Sequence, residues 1–261
     1  MLAVISPAKD LDYASPLPSV APTEPRLLAD AALLMQDLKC LAPFQVAQLM
    51  HLSDNLADLN YQRFAQWQLP LQAPAARPAL LAFNGDVYQG LQAATFNAAD
   101  FAFAQGHLRI LSGLYGVLRP LDLMLPYRLE MGSPFANPRG ANLYAFWGER
   151  ITQLLREDIA ACGARVLVNL ASQEYFKAVR PKLLGVPVIE PVFKDYHAPS
   201  GSYKVISFFA KKARGQMSAY IVKQQLTAAE ELKSFDGGGY SFNNAMSTAQ
   251  QWVFTRRLSP A

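Results

Sequence analysis

Histidine and cysteine are scarce in this chain of 261 residues, with three of the first and two of the second. His51, His107 and His197 stand apart, with no His-x-x-x-His pair, cysteine pair or EF-hand series nearby. No metal-ligand set can be written from them, so neither a metal nor any other cofactor is expected. Iron held directly would need carboxylates gathered from distant parts of the chain. Cys40 and Cys162 belong to no Cys-x-x-Cys motif and lie among apolar residues of expected helices. They read as free, buried thiols, and no neighbouring charge would lower either pKa enough for a redox sensor.

Long apolar runs are missing too. None approaches the roughly 20 residues that cross a bilayer, and mean hydropathy is only +0.07. The opening MLAVISPAKD meets a proline and a lysine before it reaches the length of a signal peptide. A soluble, cytoplasmic protein without membrane contact is the expectation. The chain has no G-x-G-x-x-G, G-x-x-x-x-G-K-[ST] or G-x-S-x-G fingerprint, which leaves no sequence support for a dinucleotide fold, a P-loop or a hydrolase elbow. No Gly/Ser run or charge block marks a linker, so residues 1–261 read as one domain.

What is present is unevenly charged. Residues 1–100 hold 5 Lys/Arg against 9 Asp/Glu, whereas residues 101–261 hold 19 against 11. That asymmetry suggests a basic face for anionic partners, nucleic acid or phosphates. Strand-like runs occur at 2–5, 79–83, 108–111, 166–170, 186–189, 203–209 and 252–255. Helical patterns cover 26–39, 44–50, 54–67, 85–92, 98–106, 142–162 and 210–225. The unequal spacing fits neither a regular Rossmann unit nor an eightfold barrel. A mixed α/β (α+β) domain follows, with a mixed sheet surrounded by helices.

Four segments carry candidate chemistry. Ser6 and Lys9 directly follow the first strand, where α/β proteins place ligand groups, and offer a hydroxyl and a cation to an anion. They could serve as a nucleophile pair only if the segment were helical. The run 111–132 is a shaped loop whose Tyr115, Arg119 and Arg128 could meet phosphate or carboxylate. The competing reading pairs Arg119 with Asp122 and Arg128 with Glu130, making the loop structural. From Gly201 to Gln225 there are five cations and no acid, with Lys211, Lys212 and Arg214 on an expected helix, a candidate phosphate tracker. Residues 43–67 read as two short helices turning near His51, Leu52 and Ser53. This helix-hairpin-helix-like element could grip a nucleic-acid backbone, or could simply pack on the core, since Asp54 and Asp58 sit where DNA would lie.

SPAKDLDY at 6–13, FNGDVYQGL at 83–91, LSGLYGVLRPLDLMLPYRLEMG at 111–132, NLYAFWG at 142–148, VNLASQEYF at 168–176 and ISFFAKKARG at 206–215 together resemble the YaaA peroxide-stress family. The resemblance implies a bacterial cytoplasmic protein of hydrogen peroxide defence that limits damage by iron. It also implies DNA binding through a positively charged cleft and a helix-hairpin-helix in an unusual fold. By position the hairpin maps to 43–67, and the cleft to Lys9, Arg119, Arg128, Lys211, Lys212 and Arg214. Three departures stand out: Asp10 in place of a small hydroxyl residue, Asn84 in place of lysine, and a tail at 237–244 without the acidic residues expected after its aromatic pair. The alternative is an enzyme acting on a small anionic or nucleotide-like substrate in a pocket of Ser6, Lys9, Tyr115, Arg119, Arg128 and Lys211.

Overall fold

The computed structural model describes residues 1–257. Strand β1 (Leu2–Ile5) is apolar and buried at every position, as a central parallel strand covered on both faces must be. After β2 (Asp10–Leu11) come α1 (Leu28–Lys39), α2 (Pro43–Met50) and α3 (Asp54–Gln66). They are followed by β3 (Arg77–Pro78), α4 (Ala79–Ala82), β4 (Phe83–Asn84), α5 (Asp86–Leu91) and α6 (Ala98–His107). The next stretch holds β5 (Leu108–Ser112), β6 (Gly116–Leu118), β7 (Leu123–Met124), α7 (Leu143–Trp147), α8 (Arg150–Ala161) and β8 (Leu167–Leu170). The described chain closes with α9 (Gln173–Phe176), β9 (Val188–His197), β10 (Ser202–Lys204), α10 (Ser207–Lys223), β11 (Ser241–Phe242) and β12 (Gln251–Arg256).

The main sheet runs β11-β12-β9-β8-β1-β5-β6, with β10 paired to β9. Its five central strands, β12 to β5, are parallel, and β6, β10 and β11 pair antiparallel to their neighbours. One continuous apolar core takes in side chains from Met1 to Phe254. The expected mixed α/β architecture is therefore the one adopted, in a single domain.

Some expected elements differ. The helix expected over 142–162 is two, α7 and α8, because Gly148 turns the chain at φ 51°. The strand expected at 79–83 is the single turn α4. Its Ala79 and Leu80 amides donate to the Asp122 and Pro120 carbonyls, so this backbone is satisfied by a loop and not by a sheet. The 203–209 run stays a strand only to Lys204, since Ser207 already begins α10, leaving Val205 and Phe208 exposed. Cys40 is exposed at the end of α1 and Cys162 half-buried at the end of α8, which corrects the expectation of buried thiols. Both are free: each follows the last turn of its helix, where the apolar face runs out.

A crevice at the carboxyl ends of two central strands

Strands β1 and β8 are neighbours, with Ile5 opposite Leu170. From β1 the chain eventually reaches β5 on one side, and from β8 it reaches β9 on the other. Connections that leave adjacent parallel strands in opposite directions open a crevice beyond their carboxyl ends, the place where open α/β sheets bind ligands. Here that crevice measures about 410 Å³. Its floor is the first residues after the strands: the Ser172 amide donates to Ser6 Oγ at 2.8 Å, and Ser6 Oγ donates to Ser172 Oγ at 3.3 Å.

One wall comes from the 111–132 loop. Glu130 Oε1 accepts from Lys9 Nζ at 3.1 Å and from Arg128 Nε and Nη2 at 3.1 and 3.0 Å. Glu130 Oε2 is buried and has no hydrogen-bond partner. The opposite wall is α10, which contributes Lys211 and Arg214. Lys211 lies 3.9 Å from Asp86 and stays half exposed. Arg214 is held differently: its Nε is buried without a partner. Burial pulls its pKa down, and only the charge of Glu190 opposes this. A half-buried guanidinium whose Nε is buried and unpartnered, and which forms no ion pair, carries a desolvation cost that an incoming anion would offset. Asp10, Asp86, Glu130 and Glu174 also line the crevice, so its interior is mixed in charge. Lys211 at its edge is exposed, as are Lys212 on the same helix and Lys204 just before it.

Ser6, Lys9, Lys211 and Arg214 are thus brought together, Arg128 joins through Glu130, and Lys212 stands outside on the same helix. Tyr115 and Arg119 lie elsewhere. Tyr115 is fully buried, its hydroxyl accepting from Trp67 Nε1 and the Leu125 amide, and burial pushes its phenol up to about 12. Arg119 donates to Asp122 and to the Glu24 carbonyl. The ion pairs Arg119–Asp122 and Arg128–Glu130, which the spacing allowed, are both formed. Residues 6–9 are not helical and Lys9 Nζ faces Glu130, so no Ser-x-x-Lys nucleophile pair is built.

The residues missed from sequence are Asp86, Glu130 as a site group, Ser172, Glu174 and Tyr175. The one available signal was the second strand end, where β8 runs into Ser172 as β1 runs into Ser6. Asp10 and Asn84, two of the three departures from the family pattern, face each other across the β2–β4 pair and both line the crevice. Helices α2 and α3 are the two short helices expected over 43–67, entered at Pro43 and joined by a turn at His51 with φ 51°. Asp54 and Asp58 are exposed on it.

Among the described residues no set of three His, Cys, Asp or Glu side chains could hold a metal ion, and no helix is long and apolar enough to cross a membrane. Residues 1–246 match the model of a family described as peroxide stress protein YaaA. A UPF0246 protein of Teredinibacter turnerae is 61% identical over 257 residues, covering 98% of this chain and all of the relative. One from Saccharophagus degradans is 60% identical with the same coverage. A third, UPF0246 protein IL2146 of Idiomarina loihiensis, is 57% identical over 98% of both chains.

Proposed function

The chain belongs to the peroxide stress protein YaaA family, and from that premise we propose that it works in the cytoplasm by binding the phosphate backbone of DNA. The observation that supports this reading is one face of α10. Phe208, Lys211 and Lys212 are spaced i, i+3, i+4, so they share a side of the helix, and all three are exposed. No acid occurs between Gly201 and Gln225. Lys204 extends the same basic surface, and Lys9 stands at the adjoining crevice rim. Lysines at this spacing track phosphates without reading bases, while an exposed aromatic ring suits an unstacked base. Each phosphate so covered releases its condensed cations. Bound iron would be among them, which links DNA binding to protection from iron-mediated oxidative damage.

The α2–α3 hairpin is the second element of this reading. Burial lowers the pKa of Arg63 on α3, the nearby Tyr13 opposes this, and the charge of Arg128 adds a smaller lowering. The end of α3 that carries Arg63 therefore lies toward the basic loop, while Asp54 and Asp58 occupy the first turns of the same helix.

Duplex binding is expected to fall steeply with salt. The Lys211→Ala/Lys212→Ala double variant should flatten the slope of log K against log salt by about 2 and weaken binding about tenfold or more near 0.1 M salt. Fluorescence anisotropy with a labelled duplex across a salt series reads both quantities. Binding that ignores salt, or a double variant that binds like the parent, would overturn the proposal.

A further inference from the structure

The crevice between β1 and β8 holds two buried polar atoms of opposite character with nothing bonded to either: Arg214 Nε, a cationic donor, and Glu130 Oε2, an acceptor. Neither is left so by disorder of the site around it. Glu130 Oε1 is taken by Lys9 and Arg128, which leaves the side chain's remaining acceptor capacity on the other oxygen. Arg214 leaves α10 directly after Ala213, one turn beyond Lys211, and the two cations enter the crevice from the same wall. Buried polar groups are almost always paired, so two complementary orphans in one cavity define the ligand that completes them. That ligand presents an anion to Arg214 and an N–H donor to Glu130. The cavity, about 410 Å³, has the volume of a small organic molecule and is far larger than a bare anion needs. Its position at the switch point of a parallel sheet is the one at which such sheets take nucleotides.

We infer that the crevice binds a single nucleoside 5′-monophosphate, with the phosphate on Arg214 and Lys211 and an N–H of the base edge on Glu130. This goes beyond the DNA-backbone reading and does not rest on it: the two share Lys211 at the rim, whereas Arg214 and Glu130 belong to the crevice alone.

Isothermal titration calorimetry with AMP, CMP, GMP, UMP, ribose 5-phosphate and inorganic phosphate tests it. At least one of the nucleotides is expected to bind about tenfold or more tightly than ribose 5-phosphate, since a hydrogen bond to a buried charge separates them. Glu130→Gln should abolish that margin without weakening inorganic phosphate binding, because it removes an anion from the site, and Arg214→Gln should weaken every phosphate compound by about tenfold or more. Thermal unfolding checks that each variant is folded; should Glu130→Gln not fold, Arg214→Gln carries the test, because Arg214 has no ion pair to lose. The inference is overturned if no nucleotide binds better than ribose 5-phosphate, or if the folded variants bind like the parent. Glu130→Gln removes no positive charge, so its duplex DNA affinity should not fall, and failure here is separable from failure of the backbone reading.

Discussion

Replacing Asp158 by asparagine is expected to lower the free energy of unfolding by about 3–5 kcal/mol near neutral pH. Asp158 lies on α8 and is almost fully buried. Its Oδ1 accepts from Arg26 Nη1 at 2.8 Å, and its Oδ2 from Arg26 Nη2 at 2.7 Å and Arg109 Nε at 2.6 Å. Arg109 projects from β5, and its Nη1 is spent on the Gln105 and Leu108 carbonyls. Three parts of the chain are therefore tied at one carboxylate: the segment leading into α1, the strand beside β1, and α8. An amide would keep the shape and lose the charge, leaving the Arg109 guanidinium buried without an anion.

The pH dependence has a definite sign. Burial pushes the Asp158 carboxyl up, but hydrogen bonds and charge from Arg109 and Arg26 outweigh it, and the pKa lies below the usual value. A carboxylate depressed in the folded state contributes stability that is fully present above its unfolded pKa of about 3.9 and is lost as pH falls through the folded one. Urea unfolding of parent and Asp158→Asn should thus differ most above about pH 5 and converge in acid, as pH falls through the lowered folded pKa. A gap of less than about 1 kcal/mol, or one that does not change with pH, would show that the two arginines do not depend on this charge.

Much of this architecture was legible because single residues declare it. The apolar runs at 2–5, 108–111 and 166–170 could only be buried strands, and Ser6 to Lys9 at the end of the first was readable as a ligand position. The pairs Arg119–Asp122 and Arg128–Glu130 follow from spacing, since neighbours two or three apart in a tight loop meet. What could not be read is adjacency. That β8 lies beside β1, and so that Ser172 meets Ser6, depends on a strand order that no local pattern encodes. Glu130 and Arg214 became site residues only when the loop after β5 and helix α10 were folded over opposite sides of that strand end. Tyr115 was misplaced for a related reason: its hydroxyl suggested a ligand donor, whereas the folded chain uses it for Trp67 and Leu125 in the core. Gly148 was visible within the 142–162 run, and its apolar stripe concealed the break because α7 and α8 both turn buried faces to the core.

Two other glycines decide how the crevice wall is built, and Gly215→Ala is expected to cost about 3 kcal/mol or more. Helices α5 and α10 cross with their backbones in contact. A Cβ on Gly215 would stand 1.8 Å from the Val87 carbonyl oxygen and 2.9 Å from the Leu91 nitrogen. On the facing helix, a Cβ on Gly90 would stand 2.1 Å from the Lys212 carbonyl oxygen. No side-chain rotation relieves a clash with backbone, so the two helices would have to part. Gly106 in α6 is the control, because a Cβ there meets nothing within 4 Å; Gly106→Ala should stabilise by about 0.5–1 kcal/mol through helix propensity alone. Urea denaturation of the three proteins reads the contrast, and a Gly215→Ala variant as stable as Gly106→Ala would mean that the helices do not touch at this point. The loss would not be confined to stability. Lys211 and Arg214 flank the crossing on the same helix, so parting α10 from α5 withdraws both cations from Ser6 and Glu130. Even in conditions where Gly215→Ala stays folded, its affinity for phosphate compounds should fall, because the wall that carries the unpaired guanidinium is set by the one approach that only glycine permits.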